Sequence, residues 1–362
     1  MLKNVTATAR LSTNTTSLDS SRGIFFCPGF FLKLMLSLRK TGERILLDRR
    51  DYPFLRLSLT LFFIFIPSAL FIFKNPTPWI FIPYLGLIFF HFLGPYTLML
   101  HNLCHQKVFN KKGHWLEFLI VWVLGPLFGQ TPGTYYAHHI GMHHVENNKL
   151  SDLSSTMKFQ RDSLTDFSKY MIAFLVGVIP TLGIYLWKKR RHKLLKRILI
   201  GEGVYFLFVG TMLNVNWLAT LVVFLIPLMV VRFAMMAGNW AQHAFIDPKN
   251  PFNVYRNSIT CIKTNYNEKC FNDGYHIGHH LKMNRHWSEM PKDFEANIEI
   301  YRSEDAIVFE KLDYFVIWVL LMSKNYTRLA QCMVNLGGPE RSIAERIAVL
   351  KSRLSPISLL GS

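Results

Sequence analysis

The sequence predicts an all-α integral membrane protein, with about four transmembrane helices paired in two hairpins and a cytosolic helical cap that carries the functional side chains. Three observations lead there. Half of the 362 residues are hydrophobic, among them 30 Phe, 14 Tyr and 8 Trp, which is richer in bulky apolar residues than an ordinary soluble domain. Apolar runs approaching the roughly 20 residues that a spanning helix needs recur along the chain. The 41 Lys and Arg sit in bursts beside those runs, as the positive-inside rule requires of cytosolic flanks. The formal charge of +18 therefore reports topology. It lacks the interleaving of basic and aromatic residues that marks nucleic-acid binding, and no such partner is expected.

Residues 1–50 read as an N-terminal tail and an interfacial helix. The stretch 1–22 is rich in Ser and Thr, carries Lys3, Arg10 and Arg22 against a single acid, Asp19, and has no long apolar core. It reads as a solvated tail or an organelle transit peptide, not as a secretory signal. Residues 23–38 (GIFFCPGFFLKLMLSL) are interrupted by Pro28 and Lys33 and are too short to span, which suits a helix lying in the interface.

Residues 51–300 form the membrane domain. The runs 54–73 and 78–100 are joined by KNPT and flanked by the basic segments RKTGERILLDRR and KVFNKK, so both ends of this hairpin are expected in the cytosol. The runs 198–213 and 217–238 flank the uncharged NVN, with Glu202 and Arg232 toward the outer ends of the pair, and give a second hairpin of the same sense. The run 115–129 is short and broken by Gly125-Pro126, and 170–187 runs into the burst KKRRHKLLKR at 188–197. Both are read as interfacial or re-entrant. Residues 301–362 are expected as a cytosolic helical tail, with an apolar run, YFVIWVLLM, too short to span and an amphipathic helix beginning at Pro339. Cys27, Cys104, Cys261, Cys270 and Cys332 form no CxxC and leave one over, which argues for reduced thiols.

Fourteen histidines are present, and most fall into four clusters: HNLCH (His101, His105), HHIGMHH (His138, His139, His143, His144), NWAQH (Asn239, His243) and HIGHH (His276, His279, His280). His101/His105, His139/His143, Asn239/His243 and His276/His280 are i,i+4 pairs, so each cluster, if helical, presents its side chains on one face. In the four-span topology all four faces lie on the cytosolic side and can surround one cavity. A zinc site closes with about four ligands, whereas nine imidazoles suit two ions, and imidazole suits iron. Two irons held mainly by histidine is the economical reading. His138 competes with His139, and the helical spacing favours His139.

These four motifs, in this order and over about residues 80–300, resemble those of the membrane fatty acid desaturase superfamily, which includes related hydroxylases and ketolases. The resemblance implies two Fe2+ ions as cofactor, O2 as co-substrate, and a fatty acyl chain, as acyl-CoA or lipid, that gains a C=C bond. It implies His101, His105, His139, His143, His144, His243, His276, His279 and His280 as metal ligands, with Asn239 approaching one iron through water. HWSEMP, after the last cluster, is similar to the loop that leaves the family's third box. Glu146, Asp247 and Asp273 are candidates to orient imidazole N–H groups.

Two departures from the family pattern bear on the chemistry. Three residues separate His139 from His143-His144, where most desaturases have two, a spacing more reminiscent of some membrane hydroxylases. There is also no His-Pro-Gly-Gly haem motif, so electrons are expected from a separate carrier such as cytochrome b5, or ferredoxin with its reductase. The location implied is the endoplasmic reticulum or a bacterial inner membrane, with the active site facing the cytosol. A lipid hydroxylase or ketolase with the same irons, and a zinc-dependent membrane hydrolase, are the alternative readings. A metal transporter would place its histidines inside the spans along a permeation path.

Overall fold

The computed structural model describes residues 39–357 and divides the chain into two compact units, Met1–Thr41 and Gly42–Ser362. Of the first unit only residues 39–41 are described, and they are helical. The expected tail at 1–22 and interfacial helix at 23–38 lie outside the described residues.

The second unit opens with the first hairpin. Helix α1 (Arg49–Lys74) starts where Asp48 accepts from the Arg50 amide, with Pro53 in the first turn of its long α-helical part, where a missing amide costs nothing. Helix α2 (Pro78–His105) likewise begins on a proline and ends in the first histidine cluster. Between them lie Asn75–Thr77. Inside, Phe65 packs edge-on against Phe92 and Phe128, with ring centroids 5.5 and 5.0 Å apart, while Phe63, Trp79 and Phe90 on the outer faces are exposed, as a lipid-facing surface would leave them. A short apolar helix, α3 (His114–Leu127), follows.

The histidine-bearing helix α4, residues 134–146, is reached through a buried loop at 128–133. Gly129 has φ +67°, and a Cβ there would stand 2.2 Å from the Pro227 carbonyl oxygen. A Cβ on Gly201 would stand 1.6 Å from that of Pro132. These two glycines let irregular backbone press against the neighbouring helices, and its buried Thr131 finds an acceptor in Glu202.

Helices α5 (Leu164–Lys188), α6 (His192–Val215) and α7 (Trp217–Gln242) complete the bundle. Asn216 joins α6 to α7, caps α7 through the Ala219 amide, and donates its side-chain amide to the Phe73 carbonyl at 3.2 Å. The turns of the two hairpins therefore meet at one end. The histidines lie at the other.

Among the described residues five helices are long and apolar enough to cross a membrane, one more than the four expected. The additional one is α5, whose charge-flanked run reads in the sequence as interfacial or re-entrant. Both of its ends meet the segment that carries the second histidine cluster. Tyr170 is bonded to Asn239 at 2.8 Å, near Ser154, and the Tyr185 hydroxyl donates to Glu146 at 2.6 Å. Those two tyrosines are about 22 Å apart along a helix. The axis of α5 thus passes beside the histidine end of the bundle and does not lead away from it.

Among the described residues the expectation of an all-α chain holds apart from one two-stranded parallel sheet, β1 (Ile259–Ile262) against β2 (Ile307–Glu310), with Ile259 opposite Ile307. Between the strands lies helix α8 (His276–Leu281), which carries the last cluster. The described part of the expected C-terminal helical tail, residues 301–357, packs against the chain around His243. Strand β2 and the helices α9 (Tyr314–Met322), α10 (Tyr326–Cys332) and α11 (Ile343–Ser352) share one apolar core with Ala241, Ala244 and Phe245 around His243. The amphipathic helix starts at Ile343 instead of Pro339, because Ser342 and Glu345 form a reciprocal capping box there.

Candidate metal centre

The end of α2, the middle of α4, the end of α7 and helix α8 converge. His101, His105, His139, His144 and His279 place ring nitrogens within 4.8 Å of one another, and so do His143, His243 and His280. His276 joins the second group, its Nε2 3.0 Å from that of His280 and 3.3 Å from that of His243. All nine expected histidines are thereby brought together as five and four. The groups share a wall, with the His144 and His280 rings 4.9 Å apart.

Geometry fixes what the facing nitrogens are. The His243 Nδ1 lies 2.8 Å from the Asn257 carbonyl oxygen, which can only accept, so Nδ1 carries the hydrogen and Nε2 presents a lone pair. In the same way His101 Nδ1 faces Asp273 at 3.1 Å and His143 Nδ1 faces Asp152 at 2.7 Å. Within the groups, Nε2 atoms then face Nε2 atoms: His105 to His139 at 2.9 Å, His139 to His144 at 3.0 Å, His101 to His279 at 3.0 Å. Lone pairs at such distances repel unless a proton or a metal ion lies among them. Burial disfavours the proton. It pushes His139, His144, His276, His279 and His280 well below the usual imidazole range, with neighbouring histidines adding to the effect, and holds His243 at about 3. Converging imidazoles, three of them with Nδ1 turned outward onto an acceptor, fit metal ions.

The pH dependence follows from the sign of these shifts. A histidine with a folded-state value below its unfolded 6.5 binds fewer protons when folded, so it favours the fold above that pH and opposes it as pH falls toward the folded value. Metal-free protein in detergent is expected to lose thermal stability steadily as pH is lowered from about 6.5 toward 4. A melting temperature that is flat or rising over that interval contradicts the buried neutral cluster.

The other expected residues are distributed differently. Asp273 orients His101 and is itself held by the Tyr266 hydroxyl at 2.6 Å. Asn239 stands beside the second group, but its amide nitrogen donates to the Ser154 carbonyl at 2.9 Å and to Tyr170 at 2.8 Å. His138 is turned away. Its ring lies 6.5 Å from that of His143, its Nε2 is buried without a partner, and burial first of all holds it near 4. Glu146 accepts from Tyr185 and Ser151 and meets Lys189 at 3.4 Å, so no histidine is among its partners. Asp247 pairs with Arg256 at 3.1 Å and faces Arg353, again with no histidine.

The carboxylate that does serve the second cluster is Asp152, which sequence reasoning missed. Burial raises its affinity for a proton, but His143 and Ser154 outweigh this and hold it below the usual carboxylate range. Asn147 and Asn148, at φ 50° and 58°, turn the chain back so that Asp152 comes under His143. The HWSEMP loop is anchored on the start of α1. His286 Nε2 lies 3.1 Å from Asp51, and Trp287 Nε1 donates to the same oxygen at 3.0 Å. Beside it a recess of about 20 Å3, room for one water, reaches His101, His105 and His279. Cys104, Cys261, Cys270 and Cys332 are free thiols.

Residues 74–311 match the protein-family model for fatty acid desaturases. Comparison with curated proteins and with solved structures returned no match. The matched span covers about two thirds of the chain and contains every histidine of both groups. The helical fold and the paired histidine groups agree with that match, and membership implies an oxidoreductase with desaturase or hydroxylase chemistry on a membrane-borne lipid substrate. The chain belongs to the fatty acid desaturase family.

Proposed function

We propose that this protein introduces a C=C bond into a fatty acyl chain, carried as acyl-CoA or lipid, in an O2-dependent reaction at a di-iron centre. The observation that carries the reading is the five-and-four division of nine converging imidazoles in a chain of this family. One ion is held by His101, His105, His139, His144 and His279, the other by His143, His243, His276 and His280. Iron bound there supplies the reduction of O2 and the removal of hydrogen from two adjacent methylenes. The protein's share is placement. Unactivated C–H bonds differ only in where they are held, so the ligand helices must be rigid to a fraction of an ångström. Asp152, Asp273 and the Asn257 carbonyl lock three imidazoles by their Nδ1 hydrogens. Asn239 steadies Ser154 and Tyr170 beside the second ion.

Electrons come from a separate carrier, cytochrome b5 or ferredoxin with its reductase, on the cytosolic face. The basic burst 188–197 follows α5 at the histidine end of the bundle, which supports both the cytosolic orientation and α5 as an interfacial helix with four spans around it. The endoplasmic reticulum and a bacterial inner membrane suit this topology equally.

Hydroxylation at the same irons is the second reading, favoured by the three-residue spacing in HHIGMHH. Both are tested by expressing the protein in a host with a known lipid profile, beside His243→Ala, and analysing fatty acids by mass spectrometry after derivatisation. New double bonds, absent with the variant, are expected. New hydroxyl groups select hydroxylation, and released free fatty acids without either product overturn the oxidative reading in favour of hydrolysis.

A further inference from the structure

The spacing that departs from the family pattern is absorbed by the backbone. In α8 an ordinary α-helical turn sets His276 and His280 side by side, four residues apart, and turns His279 to the first group. In α4 the paired residues are His139 and His144, five apart, while His143 goes to the second group. The turn His139–His143 is a π-turn, closed by the His144 amide on the His139 carbonyl. Its wider pitch does for an offset of five what the α-turn does for four. The i,i+4 pairing expected for His139 and His143 is therefore replaced by a 139/144 pair. Each of these two clusters still gives two imidazoles to one group and one to the other.

A widened turn has a cost. By Asn147, whose amide bonds the His143 carbonyl at 2.6 Å, the ladder has returned to its usual step of four. Between these points the amides of Val145 and Glu146 face three carbonyls, those of Ile140, Gly141 and Met142, and the His144 amide, already closed on His139, also reaches that of Met142. The widened turn thus leaves one of the three sharing an amide or without one a regular turn ahead. Arg191 donates its guanidinium Nη1 to the Gly141 carbonyl, in the middle of the turn. It reaches it from the sharp junction of α5 and α6, where Arg190 takes φ 55° and the Arg191 amide closes on the Leu186 carbonyl at 2.8 Å. Lys188, Lys189 and Arg190 are exposed, Lys189 while meeting Glu146, whereas Arg191 is half-buried. Leu194, one turn further, sits where a Cβ on Gly141 would come within 2.7 Å. Arg191 is thus set apart from the solvated bases around it.

We infer that Arg191 is a positioning residue: it satisfies the carbonyl exposed by the additional residue of the second cluster, holds the π-turn, and so decides which histidine serves which ion. The inference rests on the di-iron reading above. The test compares iron content and 57Fe Mössbauer spectra of purified, detergent-solubilised parent, Arg191→Met, Arg191→Lys, the Ile140 deletion, and the deletion combined with Arg191→Met. Arg191→Met should weaken iron binding about tenfold or more, with an altered spectrum in whatever iron remains, and Arg191→Lys should recover part of it. Deleting Ile140 shortens the cluster to the two-residue spacing, which an α-turn accommodates without an orphaned carbonyl. The deletion should bind iron as the parent does and should rescue Arg191→Met even if that variant alone folds poorly. Unchanged iron and spectrum in Arg191→Met, or a combined variant as deficient as Arg191→Met, overturns the inference. A parent without metal overturns the di-iron reading instead.

Discussion

His243→Ala is expected to empty the second group of its ion and to lower turnover by a hundredfold or more, while the helices remain inserted and folded. His243 is fully buried at the end of α7, its Nδ1 fixed by the Asn257 carbonyl and its Nε2 aimed at His276. The variant leaves three imidazoles, and loss even of a residue that merely orients a ligand costs ten- to a hundredfold in metal affinity. The local fold should survive, because the Thr156 hydroxyl holds the His243 backbone carbonyl at 2.6 Å, a bond that does not involve the imidazole. Iron per chain and lipid product, read beside circular dichroism of the same sample, separate metal loss from unfolding. Parent-like iron content in this variant contradicts the ligand assignment.

Arg161→Met is expected to have the largest effect on stability. The Arg161 side chain is wholly buried, and its guanidinium donates to six backbone carbonyls: Ala244 at 2.7 Å, Ser355 at 2.6 Å, Arg353 at 2.9 Å, and Thr156, Met157 and Phe159 at 3.2–3.3 Å. It binds three segments, the loop after the second cluster, the chain leaving His243, and the C-terminal end of α11. Methionine fills the space but donates nothing, and buried acceptors left unpaired cost roughly 1 kcal/mol or more each. A loss on the order of 3–5 kcal/mol follows, since some of the carbonyls keep other partners. Arg161→Lys should recover only part, having three donors on a single nitrogen. Thermal unfolding in detergent measures both, and a melting temperature for Arg161→Met within a degree of the parent contradicts this account of the knot.

The two variants differ in how far the sequence foretells them. The convergence of the nine histidines was legible because they are closely spaced runs of a sparse residue, and the clusters could meet only if the hairpins put them on one side. The bundle was legible for a related reason, since a spanning helix must be long and apolar. The count of long helices was not. Length and hydropathy rank α5 with the other four long helices, and only its contacts to Glu146 and Asn239 place it beside the histidine end.

Support residues were legible only where the helical period is regular. Glu146 is closer in sequence to the second cluster than Asp152, yet the left-handed turn at Asn147 and Asn148 reverses the chain and makes Asp152 the partner of His143. The i,i+4 rule assigned His143 to the face of His139, and the π-turn moved it to the other group. Arg161 carries no sequence signal, because carbonyls from distant segments have no residue identity to read.

The central claim is that nine histidines hold two iron ions. It is tested most directly by metal analysis of the purified, detergent-solubilised protein, with elemental content and 57Fe Mössbauer spectra measured on the same sample. The account predicts close to two irons per chain in nitrogen-rich coordination. A single zinc per chain, persisting in His243→Ala, would contradict it and leave a hydrolase as the better reading.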